Sequence, residues 1–199
     1  MTNQTFQAKV KAETAKTRVI TGITKLSYAN LNQPKSINGG EPRYSASVLI
    51  PKTDTKTLNA VKLAIEAAYE EGQAKLKGSG KSIPPLASLK TPLRDGDIER
   101  PDDEAYQGHF FLNANNKEKP GVVDIDRNPI FDTSEIYSGI YARCSLSFFA
   151  FNSNGNKGIA VALNNVQKIK DGTPLGGRTR AEDDFNDGYV TDDVEDFLS

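Results

Sequence analysis

The stretch over residues 136–167 constrains the fold more than any other part of the chain. Its first half, IYSGIYARCSLSFFAF, alternates with period two. Ile140, Ala142, Cys144, Leu146, Phe148 and Ala150 fall on one side, and Tyr141, Arg143, Ser145, Ser147, Phe149 and Phe151 on the other. The NSNGNK segment that follows supplies residues tolerant of positive φ, and a second run then places Ile159, Val161 and Leu163 on one side. This pattern predicts a long β-hairpin with one apolar core face. Its other face mixes rings, small hydroxyls and an arginine. Unpaired nucleotides use that combination, because bases stack on flat rings and cations neutralise phosphates. A sheet buried on both sides would also account for the rings, with Arg143 a solvated charge.

Upstream of the hairpin the chain reads as strands around one helix. Residues 1–17 form a polar arm with Lys9, Lys11 and Lys16 against Glu13. From Arg18 to Tyr28 the alternation sets Val19, Thr21 and Ile23 against Ile20, Gly22, Thr24 and Leu26, which predicts one continuous strand. NQPKSINGGEP is expected as a loop, and Arg43 to Ile50 as a second strand closed by Pro51. Asp54 caps a predicted helix over residues 55–71, with Leu58, Val61, Ile65 and Ala68 as its inward stripe and Gly72 at its end. An irregular region over residues 78–107 carries the acids Asp95, Asp97, Glu99, Asp102, Asp103 and Glu104. A loop of that length is functional or mobile. Residues 108–114 read as a strand, 115–134 as loop with an extended piece at 122–125, and Lys168-Ile169-Lys170 as a final basic piece. Several antiparallel strands with one inserted helix predict a mainly β, OB-fold-like barrel with long loops. The first hairpin strand, about 12 residues or roughly 40 Å, is long enough that it must bend, as barrel strands do.

Charge is informative only when divided along the chain. The net charge is −1, yet all 25 Lys and Arg lie at or before Arg180, whereas eight of the 26 Asp and Glu lie after it. Residues 1–180 therefore carry +7 and residues 181–199 carry −8. The expected organisation is a basic arm over 1–17, an OB-fold domain over 18–180, and an acidic tail over 181–199 that lacks the apolar surface to fold. Phe185, Tyr189, Val194, Phe197 and Leu198 interrupt the tail's acids. Such a tail can lie in the basic groove until DNA displaces it, or offer its tip to a partner protein. The first 13 residues contain no apolar stretch of a signal peptide, and a single cysteine allows no disulfide framework, so a reducing cytoplasm is expected.

Catalytic chemistry finds little support. With one His and one Cys, no Cys/His zinc site is available, and His109 stands beside two phenylalanines without a triad partner. The KGSGKS segment ends like a P-loop, but Lys75 occupies the position of its first glycine and a helix precedes it. The acids from Asp95 to Glu104 suggest a metal-dependent nuclease, although as an EF-hand they fail at Arg100 and Tyr106. No metal or other cofactor is expected.

Beyond these patterns, the stretches LSYANLNQPKSINGGEPRYSASVLIPKTDTKT, PLRDGD, EAYQGHFFLNAN and YSGIYARCSLSFFAFNSNGNKGIAVALNNVQKIKDGTPLGGRTRAEDDF resemble a family of bacteriophage single-stranded DNA-binding proteins. The resemblance covers most of residues 18–185. It implies an OB-fold core, sequence-tolerant binding of single strands, and a role in phage DNA replication or recombination. The residues themselves point to Tyr44, Tyr141, Phe149 and Phe151 as stacking rings. They point to Arg43, Arg143, Lys157, Lys9, Lys11 and Lys81 as phosphate contacts. Asp192, Asp193, Glu195, Asp196 and Phe197 would form the part of the tail that meets replication or recombination proteins. The protein is expected to act as a monomer or homodimer, away from membranes. The alternatives are the nuclease above and a scaffolding protein that uses the sheet face for protein contacts.

Overall fold

The computed structural model describes residues 16–36 and 39–176. Its strands are β1 (Arg18–Ile20), β2 (Thr24–Lys35), β3 (Arg43–Pro51), β4 (Arg94–Asp95), β5 (His109–Asn116), β6 (Gly121–Val123), β7 (Tyr141–Ser153) and β8 (Asn156–Lys170). Its helices are α1 (Thr55–Glu71) and two short ones, α2 (Gln73–Lys77) and α3 (Gly96–Glu99).

The predicted hairpin is β7 and β8, paired from Ser153↔Asn156 to Tyr141↔Lys170. Asn154 (φ 50) and Gly155 (φ 83) make its two-residue turn, as left-handed positions require. All six residues assigned to the core face, Ile140 just before β7 and five within it, are buried. The ladder slips between Ser145 and Leu146, where Asn164 is the extra residue. That bulge bends the long strand, and it moves the buried set of β8 from Ile159, Val161 and Leu163 to Val166.

Hydrogen bonds lead from β7 through β2, β3, β5 and β8 back to β7. Five strands of the eight-stranded sheet thus close on themselves in the OB manner. The ring is irregular rather than a regular barrel: β2 meets β7 only at Thr24 and Lys25, and β5 meets β8 only at Asn115↔Ala162. Most pairings are antiparallel, as expected of such a barrel, but β5 and β6 both run parallel to β8.

Two further expectations fail for local reasons. The strand predicted from Arg18 to Tyr28 is two strands, because the chain breaks at Thr21–Ile23. Thr21 is drawn inward, its Oγ1 accepting from the Cys144 amide (2.9 Å). The Gly22 amide donates to Thr57 Oγ1 of α1 (2.8 Å). Parity flips across this break, so Ile23 is exposed while Thr24 and Leu26 enter the core. The loop predicted from Asn32 begins later, since β2 continues to Lys35 after two register shifts against β3.

Helix α1 has the predicted limits. Asp54 accepts from the Thr57 amide (3.0 Å), and Leu58, Val61, Ala64, Ile65 and Ala68 are buried against the sheet. Its end lies so close to β7 that a Cβ on Gly72 would sit 2.1 Å from the Ala150 Cβ. Only glycine permits that approach. No described helix is long and apolar enough to cross a membrane.

Cys144 sits inside the ring, fully buried, and burial pushes its thiol up to about 12. The thiolate is the reactive form, so the folded protein is expected to resist alkylation at neutral pH and to label only as it opens. Mass spectrometry with iodoacetamide, with and without denaturant, checks this. Rapid labelling of the folded protein would contradict it.

Candidate nucleic-acid interface

The outer face of β7 carries the rings and cations read from the sequence, each with definite neighbours. Tyr141 lies across from Lys25 of β2 and Lys170 of β8. Their ammonium groups stand 5.8 and 4.7 Å from its ring centroid. Arg143 is exposed, but its Nε donates to the Thr21 carbonyl (3.1 Å), so it also pins the break between β1 and β2. Ser145 Oγ accepts from Arg18 (3.1 Å), and Ser147 Oγ from Asn164 (2.8 Å). Farther along, Phe149 is 45% exposed. Phe151 is half-buried over Gly158, where a Cβ would come within 3.0 Å of its ring.

Register extends this face around the ring. Lys170, Tyr141, Lys25, Leu49, Phe111 and Arg94 are successive cross-strand partners on β8, β7, β2, β3, β5 and β4. Leu49 and Phe111 are covered by Tyr106, whose ring meets Phe111 edge-on at 5.0 Å and whose hydroxyl donates to Ser47 (3.0 Å). Arg94 lies 4.9 Å from the Phe111 ring and Arg100 5.5 Å from the Tyr106 ring. The next two rows are small and polar: Ser27, Ser47 and Asn113, then Asn30, Ser45 and Asn115. Beyond them lie Lys35 and Arg43, with Arg43 donating to Asn115 (3.1 Å) and facing Glu41 (3.7 Å). A floor of hydroxyls and amides thus runs between two cationic ends. At its margin Tyr28, 59% exposed, is held at φ 47 beside the β2 bulge. A non-glycine residue in that region is uncommon and costs energy, and such positions cluster at functional sites.

The residues chosen from the sequence are therefore not one patch. Tyr141 and Arg143 share one end of β7, while Phe149 and Phe151 lie roughly 26–33 Å along it. Lys157 and Lys81 belong with the hairpin tip, where Lys157 Nζ donates to the Lys77 carbonyl (3.2 Å). Arg43 lies on the outer face of β3. Tyr44 shares the inward parity of Ala46 and Val48, so the two are on opposite sides of that strand. Lys9, Lys11 and the tail residues Asp192, Asp193, Glu195, Asp196 and Phe197 lie outside the described residues. The sequence reading missed Lys25, Tyr28, Ser47, Arg94, Arg100 and Asn113. Ser45 and Ser47, alternating with Ala46 and Val48, were a legible sign of a polar outer face. Arg100 and Tyr106 carried no sign, because loop residues show no periodicity.

Four of the six acids considered for a nuclease have other partners. Lys52 Nζ lies 2.7 Å from both Asp95 and Asp97. Its ammonium, helped by the Gly108 amide, holds the Asp97 carboxyl below its usual range. Glu99 pairs with Arg94, and Asp103 accepts from the Ala105 amide (3.1 Å). Among the described residues no three His, Cys, Asp or Glu are grouped to share a metal.

Known proteins share this fold. The single-stranded DNA-binding protein of bacteriophage Enc34, solved with single-stranded DNA, superposes with a TM-score of 0.64 at 26% identity, over 80% of this chain and 90% of that one. The single-stranded DNA-binding protein gp2.5 of bacteriophage T7 shares the fold, with a TM-score of 0.58 at 17% identity over 87% and 97% of the two chains. A putative protein, p50, of Acyrthosiphon pisum secondary endosymbiont phage 1 is 30% identical over 180 residues, covering 86% of this chain and 94% of the relative. The family model described as the ssDNA-binding protein of Enterobacter phage Enc34 matches residues 17–198. With its OB-type ring and nearly its whole length matched, the chain belongs to this family of phage single-stranded DNA-binding proteins.

Proposed function

We propose that this protein binds single-stranded DNA without reading its sequence and does no chemistry on it. The registered row from Lys170 to Arg94, beside the Ser and Asn floor, is the observation that carries this reading. Tyr141 stands there between the cations Lys25 and Lys170, and Arg94 closes the far end over the buried Phe111. Stacking contributes about 1–3 kcal/mol per base and tolerates any base. Each neutralised phosphate makes log K fall by about 0.7 per decade of salt. Family membership supports work in phage DNA replication or recombination in the host cytoplasm.

The −8 charge of residues 181–199 against the +7 of the rest supports a tail that competes with DNA for the basic face and recruits partner proteins once displaced. Titration of labelled single-stranded and duplex oligonucleotides at two salt concentrations tests the reading. Tight, salt-sensitive binding of the single strand is expected. No mobility shift with a thymidine oligomer at low salt would instead favour a scaffolding role. Removing residues 181–199 is expected to tighten binding; unchanged or weaker binding would count against competition by the tail.

A further inference from the structure

The hairpin tip borders a cavity of about 420 Å³ lined by Ser82, Pro84, Ser88, Leu89, Lys90, Gly155, Asn156 and Lys157. Its two walls come from acid-free stretches: residues 73–93 and 136–170 contain no Asp or Glu, while the first contains Lys75, Lys77, Lys81 and Lys90. None of these lysines, nor Lys157, takes part in an ion pair among the described residues. The wall formed by the long loop is tied down. Tyr69 of α1 donates to the Pro84 carbonyl (3.1 Å), the Ile159 amide to the Lys90 carbonyl (2.8 Å), and Asn152 to the Lys75 carbonyl (3.0 Å). Gly158 is required for this closure, since a Cβ there would lie 2.5 Å from the Lys90 oxygen.

We infer that this cavity is a phosphate site, which grips the sugar-phosphate chain where it leaves the sheet face. Lys90 and Lys157 line it with Ser82 and Ser88, and no carboxylate does, a set that suits a phosphodiester. The position also fits. Segment 90–94 seals the seam between β8 and β5, with Lys90 bridged to Gly158 and Arg94 paired with Phe111. Only Thr91, Pro92 and Leu93 separate Lys90 from Arg94, a chain that spans at most about 14 Å, so the cavity lies near the Arg94 end of the cationic row. A strand lying on the floor therefore reaches it within a few nucleotides.

This inference rests on the proposed function, and the test separates the two. Full-length protein, a Lys90→Gln/Lys157→Gln variant and a Ser82→Glu variant are titrated with thymidine oligomers of about 5 and about 16 nucleotides, the limits of OB-fold site sizes. The expected result is a loss confined to the longer oligomer. Its salt slope should fall by about 0.7 per lost contact, so relative to the parent each lost contact costs about fivefold more affinity at 0.1 M than at 1 M salt. Parental affinity and slope in both variants would overturn the phosphate site, as would equal losses with both oligomers. Failure of the parent itself to bind either oligomer would sink the function and the inference together.

Discussion

Tyr141→Ala is expected to weaken binding of a thymidine oligomer by roughly five- to 150-fold, the equivalent of about 1–3 kcal/mol for one lost stack. The ring stands between the ammonium groups of Lys25 and Lys170, at one end of the row. Each ammonium now over the ring can turn to a phosphate when a base takes its place. Tyr141→Phe keeps the ring and both cations and should bind as the parent does. Stability should change little, because no described hydrogen bond uses the Tyr141 hydroxyl and half-exposed substitutions stay near 0.5 kcal/mol. Arg143→Ala is the less clean experiment. It removes the bond to the Thr21 carbonyl, so weaker binding would come with a looser β1–β2 junction. Normal binding by Tyr141→Ala, measured by anisotropy at low salt, would show that the DNA takes another face.

Phe148→Ala should cost about 3–5 kcal/mol of stability, whereas Phe149→Ala, one residue on, should cost under about 1 kcal/mol. Phe148 is 3% exposed and packs inside the ring with Leu146, Ala150 and Val161, so truncation leaves a cavity that a bulged, curved strand cannot collapse around. Phe149 stands opposite Ala160 on the outer face and gives back mostly solvent-exposed area. Urea unfolding of the two variants measures the difference directly. Equal losses would mean that the outer face of β7 is covered in solution, by another chain or by a part of this one.

Period two in residues 140–151 was enough to assign every inward residue of β7, because a strand buried on one side leaves no choice of parity. Asp54 and the Leu58, Val61, Ile65 and Ala68 spacing marked α1 to the residue, since capping and 3.6-residue periodicity are local properties. The division of charge at Arg180 is likewise a property of the string of letters. The flip of parity at Gly22 was not legible, because it depends on Thr57 of α1 and the Cys144 amide, partners 35 and 123 residues distant. Nor was the interface itself. Lys25, Tyr141, Leu49, Phe111 and Arg94 lie far apart in the chain, and only the register of five strands makes them neighbours. Residue type and spacing therefore decided which side of β7 and of α1 faces inward. Which outward residues stand together depended on where the ring closes, and closure is a long-range event that no local pattern records.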